Sequence, residues 1–486
     1  MGYLQSDSRN LTMIMDFYEL TMANGYFNTG MYQKKAVFDL FFRNNPDDGG
    51  FSIFAGLQQI VDYILNLHFN AEDIAYLRNQ HCFNEDFLDY LSHYHFSGDV
   101  YAMHEGTIVY PNEPVITVVA PLIDCQLIET MILLEMNHQT LIATKANRIV
   151  RAALGRAVSD FGARRAHNAD AAVYGARAAY IGGVSSSATV LSGQMFDIPV
   201  SGTMAHSWVM VFNDEYEAFK QYALQYQDNC CLLVDTYDVL HSGVPNAIKV
   251  AKQVLQPLGK RLKSIRLDSG DLAYLSKKCR KMLDDAGLTD CKIVVSNSLD
   301  EYSIESLLLQ GAKIDAFGVG ERLITSKSHP VFGAVYKCGA IEENGQFVPK
   351  IKVSENVDKI TNPGFKQVYR IYDNNHKAVA DLLTLHDEVV DLSQHYAYVD
   401  PQKPWKNRLF VNCSAKKLLH KVIDNGQLVK SLPLLSEIKA YVYDQLMHEI
   451  WDEEQRFVNP HIHYMDMSHS LYSLKIQLLK ENRKYE

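Results

Sequence analysis

Between about residues 140 and 340 the chain repeats one texture: a short apolar run, a cluster of Gly, Ser, Asp, Asn, Arg or His at its end, then in several places a helical segment. In order the runs are "AVSDFGARR", "AAYIGGVSSS", "IPVSGTMAH", "CLLVDTYD", "SIRLDSGD", "KIVVSNSLDE", "IDAFGVGER" and "FGAVYKC", with helical stretches such as "NAIKVAKQVLQPLG" and "SIESLLLQG" between some of them. Parallel strands cannot be joined by a tight hairpin, so strands that alternate with helices point to a parallel sheet. Eight units favour a (β/α) barrel, whose reactive groups gather at the carboxyl ends of the strands. An open doubly wound sheet is the alternative.

The flanks read differently. "LTMIMDFYELTMANGYF" has helical periodicity, while "AVFDLFF" and "DVYAMHEGTIVY" read as strands with the helix "FAGLQQIVDYILNL" between them. After about 345 come a Lys-rich segment, further strands and a helical C-terminus. A chain of 486 residues exceeds one ordinary core. The expected organisation is an N-terminal α/β domain over 1–135, the barrel over 136–345, and a C-terminal region over 346–486 packed partly on the first domain.

Composition narrows the partners. With 47 basic and 57 acidic residues, a net charge of −10 and no long Lys/Arg block, neither nucleic acid nor an anionic membrane is an expected partner. The apolar region "VITVVAPLIDCQLIETMILLEM" is broken by Pro121, Asp124, Glu129 and Glu135, which suits a strand and a core helix rather than a membrane span. The opening "MGYLQS" matches the loose myristoylation pattern at Gly2 and Ser6, without a second anchoring signal, and is read as a chance match. The eight cysteines show no CxxC spacing, so a reducing cytoplasm is the expected location.

Several strand ends carry chemistry. "IRLDSGDL" sets Arg266, Asp268 and Asp271 about a Ser-Gly turn, fit for ribose hydroxyls, Mg²⁺ or a phosphate, or else for a solvated turn with a helix N-cap at Ser269 or Asp271. In "FGVGERL" Gly318 and Gly320 let backbone N–H groups approach an anion, or simply make a tight turn. No Walker A loop or dinucleotide fingerprint occurs. "DFGARRAH" offers the Phe161 ring to a flat ligand and Arg164 to a carboxylate or phosphate, with a structural reading open for both and for Arg165 especially. The histidines of "SHYHF" and "NPHIHYMDMSH" lack carboxylate or cysteine partners at ligand spacing. His206 in "SGTMAHSWVM" follows small residues at a strand end, which favours an imidazole facing a pocket as base or phosphoryl acceptor over a core histidine.

Taken in order, "MDFYELTMANGYF", "FGARRAHNADAAVYGARAAYIGG", "GTMAHSWV", "IRLDSGDL", "VSNSLDE" and "FGVGERLITS" resemble the nicotinate phosphoribosyltransferases over roughly residues 10 to 410. The resemblance implies transfer of a phosphoribosyl group from phosphoribosyl pyrophosphate to nicotinate, with Mg²⁺, coupled to ATP hydrolysis through a phosphohistidine at His206. It implies a homodimer with shared active sites, the pyridine ring stacking between Phe161 and a Tyr18 donated by the partner subunit. Arg164 is the implied carboxylate ligand, Asp268 the ligand of the ribose hydroxyls, and Gly318 and Gly320 the cradle of the 5′-phosphate. Arg266 and Ser269 are implied to hold the sugar donor; Ser185, Thr203, Gly270 and Asn297 complete the implied substrate-binding set. Ser185, Ser186 and Ser187 stand where the nicotinamide enzyme is expected to use an aspartate. Glu321 and Arg322 depart from the small or hydroxyl residue that many relatives carry after the second glycine, so the phosphate ligands and the magnesium ligands stay open. Nicotinamide phosphoribosyltransferase, and a non-catalytic barrel that binds a nucleotide or phosphosugar, are the alternatives.

Overall fold

The computed structural model describes residues 9–356, 359–392, 398–401, 403–405 and 410–482, so the Gly2 and Ser6 match lies outside the described residues. The chain divides into two compact units, one of residues 142–330 and one of 1–141 with 331–486. The stretches expected to form separate first and last domains therefore share a unit.

The 142–330 unit is built on six parallel strands. Their order across the sheet is Ser186–Ser187, Ala157–Asp160, Ala316–Val319, Lys292–Ser296, Ser264–Leu267 and Cys231–Leu233. Most interior positions of these strands are buried, as expected of parallel strands covered on both faces. Helices Ala169–Ile181, Leu272–Asp285 and Glu301–Leu309 make the return connections. Each starts on a side-chain cap: Asn168 Oδ1 accepts from the Ala171 N–H (2.8 Å), Asp271 Oδ1 from Tyr274 (2.9 Å), and Asp300 Oδ1 from Ser303 (2.8 Å). Asp271 thus caps a helix, the plainer of the two readings its motif allowed.

The expected barrel is met only in its α/β, parallel character. Six of the eight units enter the parallel sheet. "IPVSGTMAH" contributes one isolated parallel bridge, Ser187 to Val200. "FGAVYKC" leads into the strand Val335–Glu343, which pairs antiparallel with Lys35–Phe41 in the other unit's sheet. The described hydrogen bonds leave two edges, at Ser186–Ser187 and Cys231–Leu233, and do not close the sheet. The first and sixth strands in sequence, Ala157–Asp160 and Ala316–Val319, nevertheless lie side by side.

In the other unit a seven-stranded antiparallel sheet brings His420–Asp424 against Asp99–Ala102, and a five-stranded mixed sheet centres on Lys366–Tyr372 and Ala378–Leu385. Leu40, Phe54, Ile60, Phe87, Val118 and Leu383 belong to its main core, all fully buried. A buried ion pair joins the two central strands of the second sheet, where Arg370 and Asp381 are cross-strand partners. Arg370 donates from Nε to Asp381 Oδ1 (2.9 Å) and from Nη2 to Oδ2 (2.7 Å), and His463 lies between Asp381 (3.4 Å) and Glu454 (3.0 Å). Burial would raise the Asp381 carboxyl, but the charge and hydrogen bonds of Arg370, with His463, hold it well below the usual carboxylate range. Arg370→Met removes both guanidinium hydrogen bonds and leaves that buried carboxylate to His463 alone, and we expect a loss of about 3–5 kcal/mol in denaturant unfolding. No helix among the described residues is long and apolar enough to cross a membrane.

Candidate active site

A pocket of about 550 Å³ opens at the carboxyl ends of the parallel strands, and every residue that lines it belongs to the 142–330 unit. Phe161 and Arg164 reach it after the strand Ala157–Asp160, Arg266 and Asp268 at the end of Ser264–Leu267, Asn297 after Lys292–Ser296, and Gly318 and Gly320 at the end of Ala316–Val319. Thr203 and His206 enter just past the bridge at Val200. These residues are far apart in sequence, and parallel strands bring them together because each strand delivers its end to the same edge.

Three expected residues stand slightly back from the pocket. Ser269 donates its hydroxyl to Asp235 Oδ2 (2.6 Å), and the exposed Ser185 ties its backbone N–H to Val158 O (2.8 Å). Gly270 sits in the turn between Ser269 and the cap Asp271, at φ +82°, where any side chain would be strained. Tyr18 lies outside this unit, on the helix Phe17–Asn28, with its phenol raised above its ordinary value by partial burial and by Glu129 and Glu19.

The polar wall is a network. Arg266 donates from Nη1 to Thr203 Oγ1 and to Met204 O (3.2 Å), and its Nη2 lies 3.9 Å from Asp268 Oδ1. Ser296 donates its hydroxyl to the same Asp268 oxygen. Asp235 Oδ2 accepts from the Asp268 backbone N–H (3.0 Å) as well as from Ser269, so one carboxylate organises the Asp-Ser-Gly turn. Asp235 Oδ1 and Arg266 Nε are buried and have no hydrogen-bond partner among the described residues.

His206 opens the short helix His206–Met210. Its Nδ1 is 3.1 Å from Thr236 Oγ1 and its Nε2 is 3.9 Å from Asp268 Oδ2, with about 39% of the side chain exposed. It is therefore a pocket imidazole and not a core histidine. The other ring nitrogen faces the Asp268 carboxylate while Thr236 holds the first.

Phe161 and Gly318 explain each other. A Cβ on Gly318 would fall 2.4 Å from the Phe161 ring, so the ring lies directly on this backbone. Beneath it, the buried Asp160 accepts from the Gly162 N–H (2.8 Å) and the Ser187 hydroxyl (2.8 Å), which pins the turn. Burial raises its carboxyl above the ordinary value. Arg164 is exposed and makes no hydrogen bond or ion pair among the described residues, leaving its guanidinium available to a ligand. Asn297 and Ser298 hold φ of 92° and 43°, a strained pair at the pocket rim. Gly318→Ala must push the ring aside, and we expect the KM for an aromatic substrate to rise about tenfold or more while the protein stays folded; steady-state kinetics with a thermal melt checks both.

Three family models cover most of the chain. They are described as the nicotinate phosphoribosyltransferase N-terminal domain at residues 13–137, the nicotinate phosphoribosyltransferase family at 156–384 and its C-terminal domain at 365–475. A nicotinate phosphoribosyltransferase of Bacillus subtilis is 46% identical over 97% of this chain and 96% of its own. The chain belongs to the nicotinate phosphoribosyltransferase family. A Caenorhabditis elegans nicotinate phosphoribosyltransferase is 33% identical over 98% of this chain and 94% of its own. Among solved structures, human nicotinic acid phosphoribosyltransferase matches with a TM-score of 0.85 at 28% identity, covering 96% of this chain and all of that one.

In this nicotinate phosphoribosyltransferase family member, sequence reading missed Asp235, Thr236 and Ser296. The run "CLLVDTYD" was visible as a strand end, but Asp235 binds a turn 33 residues later and Thr236 a histidine 30 residues earlier. A polar pair closing a fully buried strand, Cys231–Leu233, was the available signal. Among the described residues, no group of three or more His, Cys, Asp or Glu side chains is placed to hold a metal ion.

Proposed function

We propose that the pocket joins nicotinate to phosphoribosyl pyrophosphate, forming nicotinate mononucleotide and pyrophosphate, with ATP hydrolysis coupled through phosphorylation of His206. The observation that carries this reading is the convergence of Phe161, Arg164, Asp268 and the Gly318–Gly320 turn on one pocket. Phe161 offers a flat apolar face to the pyridine ring, and the unpaired Arg164 offers two parallel donors to its carboxylate. The Gly318–Gly320 turn carries no side chain that would keep the 5′-phosphate from the backbone at this strand end. Asp268 accepts from the ribose hydroxyls, held in place by Ser296 and by the Asp235-anchored turn.

The ring nitrogen of nicotinate attacks the anomeric carbon as the bond to pyrophosphate breaks. Charge develops on the sugar in an oxocarbenium-like state, which the Asp268 carboxylate stabilises, so the protein's work is positioning and electrostatics. For the coupling step, Thr236 accepting from Nδ1–H leaves the Nε2 lone pair to attack the γ-phosphorus of ATP; a P–N bond forms, the P–O bond to ADP breaks, and water later hydrolyses the phosphohistidine. Mg²⁺ bound with phosphates takes one or two protein carboxylates, which fits the unpartnered Asp235 Oδ1 and Asp268; it would offset pyrophosphate charge. We further read the parallel sheet as part of an irregular (β/α) barrel, and the molecule as a cytoplasmic homodimer in which Tyr18 serves the partner's site.

An assay of nicotinate and nicotinamide side by side, with and without ATP, tests the reading. Pyrophosphate should appear with nicotinate and rise with ATP; efficient use of nicotinamide would remove it. A charged hydrogen bond contributes roughly 1.5–3 kcal/mol, so Arg164→Ala should lower kcat/KM for nicotinate about 10- to 100-fold, with little change in the KM for the sugar donor.

A further inference from the structure

Glu321 lines the pocket directly after Gly320, on the wall read above as the phosphate cradle. A carboxylate at that place opposes a phosphate dianion, because like charges a few ångströms apart repel even at a solvated surface. The structure supplies a counter-charge. Lys327 Nζ donates to Glu321 Oε1 at 2.7 Å, six residues on in the chain, and the hydrogen bond and charge of Lys327 hold the Glu321 carboxyl below its ordinary value, with Arg165 and Arg322 adding to the effect. The lysine is itself tied back by its backbone N–H to Arg322 O (3.4 Å), and Thr325 donates its hydroxyl to Glu321 O (2.8 Å), so the turn 321–327 is closed on itself.

Arg322 does not take this task. Its Nη1 pairs with Asp300 Oδ2, on the residue that caps the helix Glu301–Leu309, and it does not line the pocket. Of the two charged residues after the glycine turn, Glu321 alone lines the pocket, and Lys327 is its described ion-pair partner.

We propose that Lys327 is a positioning residue for the phosphorylated sugar donor, acting through Glu321: by neutralising and restraining that carboxylate it makes the glycine wall acceptable to a phosphate. The proposal rests on the placement of the 5′-phosphate at Gly318 and Gly320. The pair is exposed on both sides, with 60% and 42% of the side chains accessible, so it contributes little to stability and its loss should not unfold the protein.

The test is a double-mutant cycle read as the KM for phosphoribosyl pyrophosphate. Lys327→Gln should raise that KM about 3- to 10-fold at low salt, with kcat and the KM for nicotinate nearly unchanged, and the increase should shrink at high ionic strength. Glu321→Gln should lower the KM, and adding Lys327→Gln to it should change nothing further. An effect of Lys327→Gln that persists in the Glu321→Gln background, or no effect in the parent, overturns the proposal. Gly320→Ala serves as the separate control on the phosphate placement. If it leaves the sugar-donor KM unchanged, the placement itself fails; if it raises the KM while the cycle shows no coupling, only the role of Lys327 fails.

Discussion

Asp268→Ala should lower kcat/KM by about 100- to 1,000-fold, the range for deleting one electrostatic group preorganised around a transition state. The Asp268 carboxylate is held by the Ser296 hydroxyl at one oxygen, with Arg266 3.9 Å away, and its backbone N–H is fixed by Asp235. Its position is therefore set before substrate arrives, so little reorganisation is needed when positive charge develops on the sugar. About a third of the side chain is exposed, and it ends a strand rather than filling the core, so the variant should melt within a few degrees of the parent. Asp268→Asn separates the two contributions, since it keeps a hydrogen-bond acceptor for Ser296 and removes the charge. If steady-state kinetics shows the asparagine variant as slow as the alanine one, charge is the dominant factor; near-parent rates in both would place the ribose elsewhere.

His206→Asn should abolish ATP stimulation and leave a slow, ATP-insensitive transferase. The amide can still reach Thr236, which lies 3.1 Å from Nδ1 in the parent, so the local turn is kept while the nucleophilic ring nitrogen is lost. A core histidine would behave otherwise, lowering stability and affecting both reactions alike. Its 39% exposed side chain and its place beside Asp268 argue for the pocket role. We expect labelling from γ-phosphate-labelled ATP at one acid-labile site per subunit in the parent and none in the variant, with ATP-stimulated kcat/KM down by about tenfold or more, at least 1.4 kcal/mol in the barrier. Unchanged labelling, or stimulation that survives, would return His206 to a structural role. The Asp268→Ala variant supplies a useful contrast, because it should lose transfer while still accepting label.

Local interactions are legible in this chain, and those between distant segments are not. Strand ends rich in Gly, Ser and Asp, and caps such as Asn168, Asp271 and Asp300, are written within a few residues of one another, and six strands of the parallel sheet, nine of the residues that line the pocket and the resemblance to the family were legible in the sequence alone. Strand count was different. Ser186–Ser187 spans two residues and "IPVSGTMAH" pairs through a single bridge, and segments that short carry no periodic signal that separates a strand from a loop. "FGAVYKC" reads like its neighbours yet pairs antiparallel with Lys35–Phe41, since an apolar run does not record which strand it will lie beside.

The residues themselves announce the chemistry on offer: an arginine, a histidine, an aspartate and a glycine turn, in that order, each just past an apolar run, in a pattern that marks the family. How those groups are held is set in three dimensions. Asp235 grips the Asp-Ser-Gly turn, Thr236 takes one nitrogen of His206, the Phe161 ring lies on Gly318 across 157 positions of chain, and Lys327 rather than Arg322 answers Glu321. One cause underlies each case. Residue type and spacing report what a segment can do alone, whereas a hydrogen bond, a ring contact or an ion pair depends on where a side chain points once distant strands have been laid together.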